Sequence, residues 1–156
     1  MAAIVTLAGL AGTAAADPVA VAKAFCAAQT SNAAEDLRPL MTADLRAVVE
    51  EAEMRNRAIA ESGSGVPSPL SAGVPYQSFD HPAETCTPAR IATASNLQII
   101  EVRYATPGSE ASAWTDRLVL KQEKGELLID DILFATFPTD TYNAGLRRVL
   151  ADSFDN

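Results

Sequence analysis

The chain has 156 residues, 48% of them hydrophobic, with twelve Lys and Arg against twenty Asp and Glu and a net charge of −8. That charge repels polyphosphate and anionic headgroups, which argues against nucleic acid and anionic membrane surfaces as partners. The length suits one domain with a single core.

Residues 1–16 (MAAIVTLAGLAGTAAA) carry no charge and end in small residues before Asp17-Pro18. This is the h-region and cleavage site of a secretory signal peptide, although the basic n-region is missing. The stretch is shorter than the roughly 20 apolar residues of a spanning helix. The expectation is therefore a signal peptide over 1–16 and a working domain over 17–156, periplasmic or secreted, with no stable membrane insertion once the signal is removed. In such a compartment Cys26 and Cys86 are expected to form a disulfide, with two buried free thiols as the alternative. Closing a loop of roughly 60 residues would contribute ~4 kcal/mol by chain entropy.

Asp17-Pro18 reads as an N-cap followed by Pro at the first helical position, opening a helix with Ala22, Phe25, Cys26 and Gln29 on one face. Asn32 and Glu35 resemble a capping box for a short helix carrying Leu37, Leu40 and Met41. Thr42 caps the longest helix, which ends near Glu61. Its stripe is Leu45, Val48, Val49, Ala52 and Ile59, and Glu51 with Arg55 and Glu53 with Arg57 are spaced for i,i+4 pairs. Residues 62–75 are rich in Gly, Ser and Pro and read as a long loop, either a lid or a disordered surface excursion.

The second half reads as strands over 90–94, 97–105, 113–121 and 127–134. The last two form a hairpin about Lys124-Gly125. Asp140 is expected to cap a final helix packing Tyr142, Leu146, Val149, Leu150 and Phe154 inward. Helices followed by an antiparallel meander indicate an α+β fold, with the helices on one face of a curved sheet.

The element order and the segment WTDRLVLKQEKGELLIDDILF, carried by Trp114, Asp116, Gly125, Ile129, Asp130, Asp131 and Ile132, resemble the nuclear transport factor 2-like superfamily and its exported members. The resemblance implies a cone: a bent sheet wrapped by helices, with a pocket at one end. It implies no reaction, because the fold hosts enzymes, binding modules and scaffolds. Homodimerisation through the open sheet face is a further implication.

An unbroken hairpin register sets Leu120 opposite Ile129 and Leu118 opposite Asp131. One face then carries Trp114, Asp116, Leu118, Leu120, Ile129, Asp131 and Leu133, and on the other Arg117 is diagonal to Asp130, in reach of an ion pair. If the first face lines the cone, Asp116 and Asp131 share an apolar pocket. Shared burial of that kind holds one carboxyl protonated for acid-base work. An exposed pair, or Asp131 capping a loop, is the plainer reading. His81, in Asp80-His81-Pro82, is the only histidine. It is a candidate general base or simply a solvated loop residue. A lone His makes a poor metal site, and no motif calls for a metal or cofactor.

Two functions remain. The favoured one is a non-catalytic exported domain that binds a small apolar or amphipathic ligand, or a protein partner, through a pocket lined by Tyr104, Trp114 and Leu118. The alternative is a cofactor-free isomerase, dehydratase or hydrolase using Asp116, Asp131 or His81.

Overall fold

The first helix starts where its capping residues direct it. In the computed structural model, which describes residues 17–31, 33–63, 65–79, 83–94, 97–106, 108–135 and 144–155, the Asp17 carboxylate accepts from the Val19 N–H at 2.9 Å. Helix α1 (Pro18–Thr30) buries Ala22, Phe25, Cys26 and Ala28. The proposed signal segment lies outside the described residues.

The short second helix is a 3-10 turn, Ala34–Leu40, with Ala33 in the cap position and no side-chain cap. Pro39 lies inside it and has no N–H for an α-type bond. Asn32 lies outside the described residues. Helix α2 (Ala43–Glu61) is capped as expected, Thr42 Oγ1 accepting from the Leu45 N–H at 3.2 Å. The surface charges of α2 pair differently from the i,i+4 expectation. Glu53 accepts from Arg38 at 2.7 Å, and the Arg55 guanidinium sits 4.5 Å above the Phe154 ring. Tertiary partners thus displace the local ones, and the cation–π contact ties α2 to the C-terminal end.

Strands β1 (Thr85–Ala94), β2 (Leu97–Thr106), β3 (Ser109–Glu123) and β4 (Glu126–Leu133) form one antiparallel sheet in the order β1-β2-β3-β4. β1 begins five residues earlier than expected from position 90, and its register shifts between Pro88 and Ile91. An edge strand accepts a Pro and a bulge that a central strand would reject. At the β3–β4 turn, Lys124 has φ +52° and Gly125 φ +88°. Two positive φ values in a two-residue loop are the signature of a type I′ turn, whose twist suits the flanking strands.

The hairpin register corrects the face assignment made from sequence. Pairing runs as expected from Glu123↔Glu126 to Leu120↔Ile129, then slips by one residue to Val119↔Asp131 and Leu118↔Ile132. Asp130 is the extra residue of this bulge, which turns every later side chain of β4 to the opposite face. Ile132 and Phe134 therefore join Leu118 in the core, and Asp131 leaves it. On both sides of the bulge the outer edge of β4 is covered. The Thr42 N–H donates to the Ile129 carbonyl at 2.9 Å, and the Phe134 N–H donates to the Ala144 carbonyl at 3.1 Å.

Helix α3 (Leu146–Asp152) follows Gly145 at its N-cap and buries Leu146 and Leu150. The start expected at Asp140, and Tyr142, lie outside the described residues. The core packs Phe25, Leu37, Leu45 and Val49 of the helical layer against Ile100, Val102, Leu118, Leu120, Ile129 and Ile132 of the sheet. The fold is α+β, helices on one face of a four-stranded open antiparallel sheet. A disulfide joins Cys26 of α1 to Cys86 of β1 with a Cα–Cα distance of 5.1 Å, inside the range such bonds need. Among the described residues no helix is long and apolar enough to cross a membrane.

Candidate functional site

The segment between α2 and β1 carries the least regular sequence and the most specific contacts. Three side chains from three elements grip its backbone. From α2, Asn56 takes both polar groups of one residue: the Leu70 N–H donates to Asn56 Oδ1 at 2.8 Å, and Asn56 Nδ2 donates to the Leu70 carbonyl at 3.4 Å. From α1, Gln29 Nε2 donates to the Tyr76 carbonyl at 3.0 Å. From β3, Asp116 Oδ2 accepts from the Ser78 N–H at 2.9 Å, and Oδ1 is hydrogen-bonded to the Ser78 hydroxyl. The Ala135 N–H closes the cluster, donating to Ser78 Oγ at 2.7 Å and to Asp116 Oδ1 at 3.0 Å. Leu70 and Tyr76 are buried, so residues 70–79 form a strap over the core rather than a free excursion.

Beneath the strap lies an aromatic layer. Phe79 meets Trp114 edge-on with ring centroids 5.1 Å apart and planes at 71°. Trp114 stacks on Tyr104, also at 5.1 Å but with planes at 18°. These are the two favoured aromatic geometries. Cross-strand pairing creates the stack, because Tyr104 of β2 lies directly opposite Trp114 of β3. Neither Tyr104 Oη nor Trp114 Nε1 has a hydrogen-bond partner among the described residues, and both atoms are buried. The Gln29 side chain draws the Tyr104 pKa down, against the larger effects of burial and of Asp116. It makes no bond of good geometry to the hydroxyl, and its amide is turned to the Tyr76 carbonyl.

Burial governs the electrostatics here. Asp116 is fully enclosed, and loss of water pushes its pKa up against the bonds from Ser78 and Ala135, which pull it down. Tyr104 is pushed far above the usual phenol range by burial first and by the nearby Asp116 charge second. Tyr76 is pushed up to about 12 by burial and then by Glu53, with Arg38 opposing.

Open space lies on both flanks of the strap. A cleft of about 510 Å³ is lined by Ala28, Gln29 and strap residues 72–79, and one of about 480 Å³ by Arg38, Glu53, Asn56, Leu70 and their neighbours. Gly73 and Val74 border both clefts. Tyr104, Trp114 and Leu118 line neither cleft. Leu118 is wholly buried core, while Tyr104 and Trp114 lie behind the Gln29–Tyr76 and Ser78–Phe79 wall of the larger cleft.

The structure does not bring Asp116 and Asp131 together. The bulge at Asp130 puts Asp131 opposite Val119, on the face away from Asp116. There Asp131 Oδ1 accepts from the N–H groups of Ile132 at 2.8 Å and Arg147 at 3.2 Å. It thereby supplies the N-terminal cap of α3 that Gly145 cannot. Its pKa is raised by burial, opposed by those bonds and by the Arg147 charge. Asp130 accepts from Thr42 Oγ1 at 2.9 Å and from Arg147 Nη2 at 3.1 Å. Arg117 instead pairs with Glu101 of β2 at 3.3 Å, so the expected Arg117–Asp130 bridge is replaced on both sides. His81 lies outside the described residues. Among the described residues no three His, Cys, Asp or Glu side chains are grouped to hold a metal ion.

Sequence reading missed Ser78, Gln29 and Asn56, which shape the site. The one visible signal was the pair Tyr76 and Phe79 just after the Gly/Pro/Ser tract, aromatic residues that a solvated loop has little use for. No family model, curated protein or solved structure matches the chain.

Proposed function

We propose that this protein is an exported, non-catalytic domain of nuclear transport factor 2-like type that binds a small, uncharged, flat apolar molecule against Tyr104 and Trp114. One observation carries the reading: two buried donors, Tyr104 Oη–H and Trp114 Nε1–H, make no hydrogen bond among the described residues, in an aromatic layer directly behind the larger cleft. A buried donor left unmade costs about 1–3 kcal/mol, and an acceptor on a bound ligand would recover it. Asp116 adds negative charge beside Tyr104, which disfavours an anionic ligand. Export has support from the Cys26–Cys86 disulfide and from a helix that starts at the proposed cleavage point. The half-buried apolar residues Ile99 and Leu133 on the outer sheet face favour a second copy docking there; a monomeric mass by light scattering at high concentration would count against it.

The acid-base alternative draws no comparable support. Both Asp116 oxygens accept bonds from the strap and from Ala135, and Asp131 caps a helix across the sheet. The test of the binding reading is titration with prodan, an uncharged naphthalene ketone, read by energy transfer from Trp114, the sole tryptophan. Saturable micromolar binding that weakens several-fold in Tyr104→Phe is expected. Absence of saturation, or equal affinity in the variant, would remove the reading.

A further inference from the structure

Ala52 of α2 and Ala151 of α3 bring only methyl groups to the gap between the two helices, and a groove of about 240 Å³ stays open there. Its floor is apolar: Ala52 and Leu150 are buried and Val48 is half-buried. The groove shares no lining residue with the two clefts beside the strap.

Two opposite charges border this floor. Glu51 and Arg55 both line the groove, four residues apart on α2, the spacing at which such a pair ordinarily closes on itself. Here the guanidinium is held over the ring of Phe154 instead, 4.5 Å from its centroid. Phe154 is fixed in turn by its N–H, which donates to the Ala151 carbonyl at 3.2 Å. Neither Glu51 nor Arg55 is ion-paired among the described residues. A guanidinium resting on an aromatic face keeps its in-plane N–H fork turned outward, the geometry that meets a carboxylate with two parallel bonds. The other cation of the groove is already engaged. Arg147 Nε and Nη2 donate to the carbonyl and the carboxylate of Asp130 at 2.8 and 3.1 Å, so Arg147 forms a wall rather than a second anion site.

We propose that the groove between α2 and α3 binds a free α-amino acid with an aliphatic side chain. Its carboxylate meets Arg55, its ammonium meets Glu51, and its side chain lies on Val48, Ala52 and Leu150. A plain carboxylate is repelled by Glu51 and a plain amine by Arg55, so the zwitterion is the species that both groups accept. The volume lies below the roughly 300–1,000 Å³ of sites for drug-sized ligands, which keeps the occupant small. Both charged side chains are exposed, so each contact is modest and Kd should be ~1 mM.

The test is titration of the isotope-labelled protein with L-leucine at low ionic strength, read in amide proton–nitrogen NMR spectra. Saturable shifts are expected at the amides of residues 48–55 and 150–154 and at the Arg55 Nε–H. Isocaproate, which lacks the ammonium, and isopentylamine, which lacks the carboxylate, should each bind at least ~threefold more weakly. Arg55→Gln and Glu51→Gln should each weaken leucine by a similar factor, and both replace exposed side chains that the core does not use. Glu51→Gln should also abolish the preference for leucine over isocaproate, a change that a merely structural role of Glu51 would not produce. No saturation by ~10 mM leucine, equal affinity for leucine and isocaproate in the unaltered protein, or unchanged leucine binding in Arg55→Gln would overturn the proposal. Shifts confined to Tyr104, Trp114 and their neighbours would overturn it too, by moving the ligand to the aromatic layer. Failure of prodan to bind would sink only the earlier reading, because the two sites have no residue in common.

Discussion

Replacing Tyr104 by Phe removes one oxygen and separates two roles that a single hydroxyl holds in this reading. The hydroxyl is fully buried, makes no hydrogen bond among the described residues and lies near the Asp116 charge. Leaving such a group unpaired costs about 1–3 kcal/mol, so its removal should return part of that. The void left by one oxygen costs a few tenths of a kcal/mol, because cavity penalties scale with the volume removed. The balance is a gain of ~1 kcal/mol, or roughly 3–4 °C in melting temperature for a domain of this size. The ring stack on Trp114 survives the change. The assay is urea unfolding followed by far-UV circular dichroism with the disulfide intact, beside prodan titration of the same samples. Stability should rise while affinity falls, the trade expected where a binding group is strained in the free state. A loss of more than ~0.5 kcal/mol would refute the reasoning, since it would mean that the hydroxyl is satisfied in the folded protein, with Gln29 as the nearest candidate.

Further outcomes follow from other contacts. Burial raises the folded pKa of Asp116 above its unfolded value, so the stability this group contributes is fully present below the unfolded pKa and is lost as pH rises through the folded one. The advantage of the unaltered protein over Asp116→Asn should therefore be larger near pH 4 than at pH 7, checked by unfolding curves at both; the opposite trend would show that the bonds from Ser78 and Ala135 outweigh burial. Cys26→Ser with Cys86→Ser should lower stability by ~4 kcal/mol on the chain-entropy account, visible as a large drop in the urea midpoint. At Gly145 an added Cβ would clash with Asp131 Oδ2. Gly145→Ala should thus push Asp131 off its cap and cost ~1–2 kcal/mol, with faster exchange at the Arg147 N–H as the local readout.

Features set by neighbours in sequence were legible without coordinates. Asp17-Pro18 and Thr42 name helix starts because capping is a contact between a side chain and backbone two or three residues on. The alternation around Lys124-Gly125 names the hairpin because both strands and turn lie within one short segment. Local chemistry likewise suffices for the α+β class, whereas the meeting of Cys26 and Cys86, 60 residues apart, is decided by the packing of α1 on β1. The candidate site was legible only in its residue types. Which carboxylate enters the core depends on one extra residue at Asp130, and a bulge is chosen by what it places elsewhere: Ile132 in the core, Asp131 on α3 and Asp130 between Thr42 and Arg147. The strap is a matter of long-range contact altogether, since Asn56, Gln29 and Asp116 reach it from three elements. Periodicity and propensity describe what a residue does to its own backbone. The tertiary fold decides which buried polar groups find partners, and at Tyr104 and Trp114 it leaves two without one among the described residues.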